Sequence, residues 1–220
     1  MTYSGDVQVG GPADTRELDG LTVTKIAVGP YDNNAYLLRC ASTGQGLLID
    51  AAAEADRLIE MIGDTPVGTI VTTHRHPDHW QALRELKEHT GAEVVAHAAD
   101  AGELPVPATR LASHGERLSF GDVTLAVIHL RGHTPGSIAL CYDADGRLED
   151  SPHIWTGDSL FPGGVGKTTT PETFTSLFND VSARVFEPLP DGTWVYPGHG
   201  KDTTLGVERP HLGEWRERGW

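Results

Sequence analysis

The segment His74-Arg75-His76-Pro77-Asp78-His79 limits what this chain can be more than any other stretch of it. Three imidazoles and one carboxylate fall within a single short turn. Imidazole nitrogen and carboxylate oxygen are the donors that a borderline divalent cation such as zinc takes. The run in front, Val67 to Thr73, is rich in β-branched residues and predicts a buried strand. The run behind, Trp80 to Glu88, predicts an amphipathic helix with Trp80, Leu83 and Leu86 inward. Pro77 suits its first turn and Gly91 its end. The donors therefore lie on a strand-to-helix turn. In an extended run, residues two apart point the same way, so His74 and His76 share a side. Asp78 and His79, adjacent on a first helical turn, diverge by about 100°. One turn can thus offer donors to two neighbouring metal ions. A polar loop with chance histidines is the plainer reading, and both the density of donors and the candidates further along the chain weigh against it.

With 220 residues the chain is long enough for one large domain with a substantial core. No repeat, low-complexity tract or linker divides it, so residues 1–220 are read as a single domain, with 1–20 a loosely held lead-in. Seventeen basic against 31 acidic side chains leave a net charge of −14. That balance argues against nucleic acid or an anionic membrane as a partner. No apolar run reaches the roughly 18 residues that a membrane-spanning helix needs. Met1 to Gly20 carries no apolar signal core. Cys40 and Cys141 sit in apolar strand-like runs outside any C-x-x-C motif and read as buried thiols. A reducing, cytoplasmic setting fits them. Oligomeric state is not written in these features.

Strands are expected at 21–28, 34–39, 46–50, 67–73, 93–96, 122–130, 137–142, 153–158 and 193–196. Helices are expected at 54–62, 80–88 and 171–186, the last capped by Thr170 with Pro171 in its first turn. Residues 98–116 read as irregular, Asp145-Gly146 as a turn, and the segment from Lys201 as a polar tail. Four of the strands run into turns that carry donors: His74–His79, His133, Asp158 and His199. Donors at the same ends of successive strands can converge on one edge of a layered α/β domain. Gly166-Lys167-Thr168 imitates the end of a phosphate-binding loop, but Phe161 stands where that pattern requires glycine. His89, His97, His114, His129, His153 and His211 match no donor motif and read as surface or structural residues.

These motifs together resemble the metallo-β-lactamase fold superfamily. The residues that carry the likeness are H-x-H-x-D-H at 74–79, G-H-T-P-G-S at 132–137, T-G-D-S-L-F at 156–161 and Y-P-G-H-G at 196–200. Asn33-Asn34-Ala35-Tyr36-Leu37-Leu38 looks like that family's early strand. The resemblance implies a four-layer αββα sandwich with two divalent metal ions at one edge of the sheets, zinc first among them, iron or manganese next. Carried over, His74, His76 and His133 would hold one ion, and Asp78, His79 and His199 the other. Asp158 would bridge them, and Asp50 would orient the donor turn. Asp78 and Asp158 are the candidate catalytic carboxylates, Asp158 as a bridging donor rather than a base.

Within that superfamily the nearest likeness is to the glyoxalase II group, which hydrolyses S-acyl derivatives of a small thiol with a metal-bound hydroxide. The aspartate at 158 favours this group over the β-lactamases with cysteine there. Leu160 to Lys167 also resembles a segment of the group, and there the counterpart of Lys167 contacts a carboxylate of the thiol. A small-molecule thioester is the implied substrate. Three features depart from the pattern. Trp80-Gln81 replace a common glycine pair, Thr168-Thr169-Thr170 replace the usual continuation, and the long C-terminal helical domain of larger members has no counterpart after His199. Two other enzyme readings keep the same motifs. One is a persulfide dioxygenase using one Fe(II) held by His74, His133 and Asp158, and the other is a lactone or β-lactam hydrolase. A non-enzymatic metal-binding module is the remaining alternative.

Overall fold

The computed structural model describes residues 3–143 and 152–219, so the expected turn at Asp145-Gly146 lies outside the described residues. Alternation in the strands dictates the layering. In β3 (Asn33–Cys40), Tyr36, Leu38 and Cys40 face one apolar cluster while Ala35 and Leu37 face another. In β10 (Ile138–Tyr142), Ile138, Leu140 and Tyr142 join the first cluster while Ala139 and Cys141 turn to a third. Period-two strands buried on both faces need a layer on each side. The first cluster fills the space between two sheets, and the other two lie between each sheet and its helices. The result is the expected αββα sandwich.

The first sheet runs in the order β1 (Asp14–Glu17), β2 (Leu21–Val28), β3, β4 (Gly46–Ile49), β5 (Val67–Val71), β6 (Glu93–His97), β7 (Arg110–Ala112). It is antiparallel up to β4 and parallel from there, through crossovers that carry α1 (Ala55–Ile62) and α2 (Leu83–Thr90). The second sheet contains β8 (Arg117–Phe120), β9 (Val123–His129), β10, β11 (His153–Gly157), β14 (Trp194–Pro197) and β15 (Thr203–Thr204). Its one parallel pair, β11 with β14, is bridged by α3 (Pro171–Val181), capped by Thr170 as expected. A small hairpin, β12 (Leu160–Phe161) with β13 (Gly164–Val165), follows β11. The two sheets are stitched at one edge by Ile138 N–H to Thr73 O at 2.9 Å and Asn34 N–H to Gly198 O at 2.7 Å.

The structure departs from the expected elements at several places, each for a tertiary reason. The helix expected from Trp80 starts at Leu83, and Pro77–His79 form a separate 3₁₀ turn. The N–H groups of Gln81 and Ala82 bond instead to Ala52 O and Ala51 O, which docks the turn on the β4–α1 connection. The helix expected through Phe186 changes to a π-helical turn at Ser182–Phe186. The lead-in is not loose. It carries β1, and buried Lys25 donates to Gly5 O at 2.7 Å while Tyr3 donates to Asp202 at 2.7 Å. The tail forms β15, α4 (Leu205–Glu208) and α5 (Leu212–Arg218), with Trp215 buried. Cys40 and Cys141 are buried free thiols, and no helix among the described residues is long and apolar enough to cross a membrane.

Candidate metal centre

Four strand ends meet at the stitched edge. β5 delivers His74, His76, Asp78 and His79, β9 delivers His133, β11 delivers Asp158 and β14 delivers His199. All seven anticipated donors converge. His74, His76 and His133 form one cluster and Asp78, His79 and His199 another, the donor atoms of each lying within 4.8 Å of one another. Asp158 lies between them. Its Oδ2 is 3.5 Å from His133 Nε2 and 3.4 Å from His199 Nε2, and its Oδ1 is 3.3 Å from His79 Nε2. Gly198 leaves room for this arrangement, since a Cβ there would lie 2.1 Å from Asp158 Oδ1.

Hydrogen bonds behind the imidazoles decide which nitrogen faces the centre. His133 Nδ1 donates to Lys167 O at 2.8 Å and His199 Nδ1 to Tyr31 O at 2.7 Å, leaving both Nε2 atoms inward. Thr73 spends its hydroxyl proton on Asp50 Oδ2 at 2.8 Å, so at 3.1 Å it accepts from His74 Nδ1. His74 Nε2 then faces His76 Nδ1 at 3.1 Å. Asp50 also accepts from Thr73 N–H at 2.8 Å and from His79 Nδ1 at 2.8 Å. Its backbone is left-handed, with φ of 58°, a conformation that Asp tolerates better than most residues. Such outer partners fix tautomer and ring orientation.

A second buried carboxylate, Asp100, was hidden in a segment read as irregular. It accepts from Arg75 N–H at 3.1 Å, Thr134 Oγ1–H at 2.5 Å and Gly136 N–H at 2.9 Å. It therefore ties the turn of His74 and His76 to the turn of His133. Its only sequence signal was an acidic residue amid apolar strand residues and loop. Of the histidines set aside, His129 stacks on His97 with ring centres 3.9 Å apart and its Nε2 donates to Pro135 O.

Charge divides the centre unevenly. Burial pushes His74 well down, and burial also lowers His76 and His133. These three are neutral imidazoles ready to accept a cation. Burial also acts against a charged His79, but Asp158 and Asp50 outweigh it and raise the group to about 10. The Asp158 carboxylate raises His199 against the pull of burial. Asp158 is itself held well below the usual carboxylate range, because His79, His199 and His74 overcome the cost of its burial.

The residues fit a pair of divalent cations. Inward nitrogens of His74 and His76, and of His79 and His199, face each other at 3.1 and 3.2 Å with their outer nitrogens already bonded or turned away. His133 Nε2 and Asp158 Oδ1 are buried without a hydrogen-bond partner. Buried polar atoms left so are costly unless something else is bound. The donor set, five imidazoles and two carboxylates, is consistent with a binuclear centre.

A pocket of about 480 Å³ adjoins the centre, lined by His133, Asp158 and His199 together with Phe161, Val165 and Lys167. The anticipated Lys167 thus lines the pocket, and its backbone carbonyl holds His133. Arg218, from the segment read as a polar tail, lines it as well.

Comparison with known proteins places this architecture. A profile described as Metallo-beta-lactamase superfamily matches residues 28–205. The chain is 32% identical to Hydroxyacylglutathione hydrolase GloC of Haemophilus influenzae, over 74% of this chain and 83% of that protein. It is 35% identical to a hydroxyacylglutathione hydrolase of Rhodospirillum rubrum over 81% of this chain, and it spans 66% of that longer relative. A crystal structure of TTHA1623 in a di-iron-bound form superposes with a TM-score of 0.67 at 32% identity, covering 84% of this chain and 96% of that one.

Proposed function

The chain belongs to the metallo-beta-lactamase superfamily, and on that basis we propose that it is a metal-dependent hydrolase of small-thiol thioesters, resembling the hydroxyacylglutathione hydrolases. We assign His74, His76 and His133 to one cation, Asp78, His79 and His199 to a second, and Asp158 to both. Zinc suits this set, as do iron and manganese. Bound there, the pair would bring the pKa of water toward neutrality and polarise a carbonyl oxygen.

The chain's own residues do the rest. Asp158 keeps its negative charge between the two donor sets, so it acts as a shared ligand and not as a proton acceptor. The bonds to Lys167 O, Tyr31 O, Thr73 and Asp50 hold the imidazoles in place without further reorganisation. Phe161, Pro162 and Val165 give the acyl-thiol an apolar wall. The Lys167 ammonium, a flexible point charge on that wall, suits a mobile carboxylate on the thiol.

The observation that carries the thioester reading is what the pocket lacks. Among the described residues, its lining contains no carboxylic acid and no imidazole outside the donor set. An alkoxide or amine must be protonated as it leaves, which calls for a positioned acid. A thiolate, whose conjugate acid has a pKa of about 8.5, leaves without one. The test is a substrate panel with the metal-loaded protein: S-lactoylglutathione, a matched oxygen ester, an acyl-homoserine lactone and a β-lactam. Thioester kcat/KM should exceed that of the oxygen ester at least about tenfold. Turnover of the lactone or β-lactam alone would overturn the reading. So would one iron per chain with oxygen consumed on adding glutathione persulfide.

A further inference from the structure

Each imidazole of the second cluster has an outer partner, His79 in Asp50 and His199 in Tyr31 O. Asp78 has one as well, and it comes from the start of β3. Asn33 Nδ2 lies 2.9 Å from Asp78 Oδ2. An ionised carboxylate only accepts, so the amide atom facing it is the nitrogen. The same Nδ2 is 3.5 Å from His199 Nε2. Asp78 Oδ2 is in turn the oxygen that faces the cluster, 3.6 Å from His79 Nε2 and 3.5 Å from His199 Nε2. Asn33 is thus a side chain outside the donor set that reaches inward atoms of two donors delivered by different strands, β5 and β14.

Its own place is fixed by the fold. Asn33 is 1% exposed, pairs with Val28 of β2 and forms an isolated bridge with His199. The neighbouring Asn34 grips the turn of His199 through Nδ2 to Pro197 O and Gly200 O, both at 2.9 Å, and the Tyr36 hydroxyl donates to Pro197 O at 2.6 Å. β3 therefore holds the His199 turn and, through Asn33, sets Asp78 against it. Asp78 needs that hold, because it stands on a short 3₁₀ turn with its side chain 24% exposed. A neutral amide donates without cancelling the charge that draws a cation. Lysine would cancel that charge, and aspartate would set a like charge beside it. Asn33 Oδ1 is buried and, among the described residues, has no hydrogen-bond partner. A buried acceptor left unpaired costs stability, so this amide serves the site at the expense of the fold.

We propose that Asn33 is a positioning residue for the second cation site, aiming the Asp78 carboxylate at the point where His79 and His199 converge. It acts on affinity at that site and leaves the first cluster untouched. This rests on the two-cation reading of the centre.

The experiment strips the full chain of metal and titrates it with zinc against a chromophoric chelator at constant pH, as wild type, Asn33→Leu and Asn33→Ala. Wild type should bind two zinc ions with separable affinities. Asp78→Ala is the marker, since the affinity it lowers is that of the second cluster. Both Asn33 variants should lower the same affinity about 10- to 100-fold, the usual cost of losing an outer partner, with the other unchanged. The metal-free melting temperature should stay within about 4 °C of wild type, since Asp78 can turn to water and the unpaired Oδ1 is gone. Unchanged affinity at the marked site would overturn the proposal. So would parallel losses at both sites with a lower melting temperature, which would make Asn33 a support for the fold. In either case the two-cation reading would stand. A wild type that binds a single zinc ion would instead remove that reading, and this proposal with it.

Discussion

Metal uptake should release a proton, and His79 is its source. In the metal-free chain His79 Nδ1 bonds to Asp50 at 2.8 Å while Nε2 faces Asp158 Oδ1 at 3.3 Å. Burial opposes its charge, but the two carboxylates prevail and the group titrates at about 10. A cation entering between Asp78, His79 and His199 requires a bare Nε2, so the proton must leave. At neutral pH, three units below that value, its removal costs about 4 kcal/mol at about 1.4 kcal/mol per unit. Affinity at this cluster should therefore fall about tenfold for each unit the pH drops below 10. His74, His76 and His133 are lowered by burial and enter neutral, so the first cluster contributes no such slope near neutrality. The assay is zinc uptake against a chelator of known pH dependence, with released protons followed by an indicator in weak buffer. At least one proton per chain should accompany filling of the weaker site, with the raised His199 and a metal-bound water adding to the proton of His79. Asp50→Asn, which spares every donor, should flatten the slope. Uptake at that site without proton release near neutrality would refute the reasoning. The same shift has a stability consequence of definite sign. His79 lies above its ordinary 6.5, so in the metal-free chain its contribution is full below that pH and is lost as pH rises through about 10. The melting temperature of metal-free protein should fall across that window.

Three substitutions separate the centre from its surroundings. Asp158→Ala should lower kcat at least about a thousandfold, since both donor sets share this carboxylate, whereas His129→Ala should cost far less; near-normal turnover of Asp158→Ala at full metal load would remove the bridging assignment. Asp100→Asn should destabilise the metal-free fold by about 2–4 kcal/mol in urea, because charge-assisted bonds to Arg75, Thr134 and Gly136 are worth roughly 1.5–3 kcal/mol each and the amide keeps only part of them.

What the sequence made legible was local. Donor spacing at His74–His79, strand alternation in β3 and β10, and the Thr170 cap each depend on neighbours a few residues away. The donors on β9, β11 and β14 were legible for the same reason, each standing in a turn that directly follows a strand. What stayed hidden is held by long-range partners. The start of α2 is displaced because Gln81 and Ala82 bond to Ala52 and Ala51. The lead-in is fastened through Lys25 and Asp202, an ion pair at 2.6 Å between positions far apart in the chain. Asp100 draws its donors from residues 75, 134 and 136, and Arg218 reaches a hairpin at 163. Hydropathy and turn chemistry carry no trace of such pairings. The π-helical turn at Ser182–Phe186 likewise follows an apolar stripe that reads as continuous helix.

The most direct test of the central claim, a two-cation centre that cleaves thioesters, is a zinc titration of metal-free protein read by S-lactoylglutathione hydrolysis. Two donor sets joined by Asp158 predict that turnover stays low through the first equivalent of zinc and rises to its maximum over the second. Full activity reached at one equivalent, with no further rise, would contradict it.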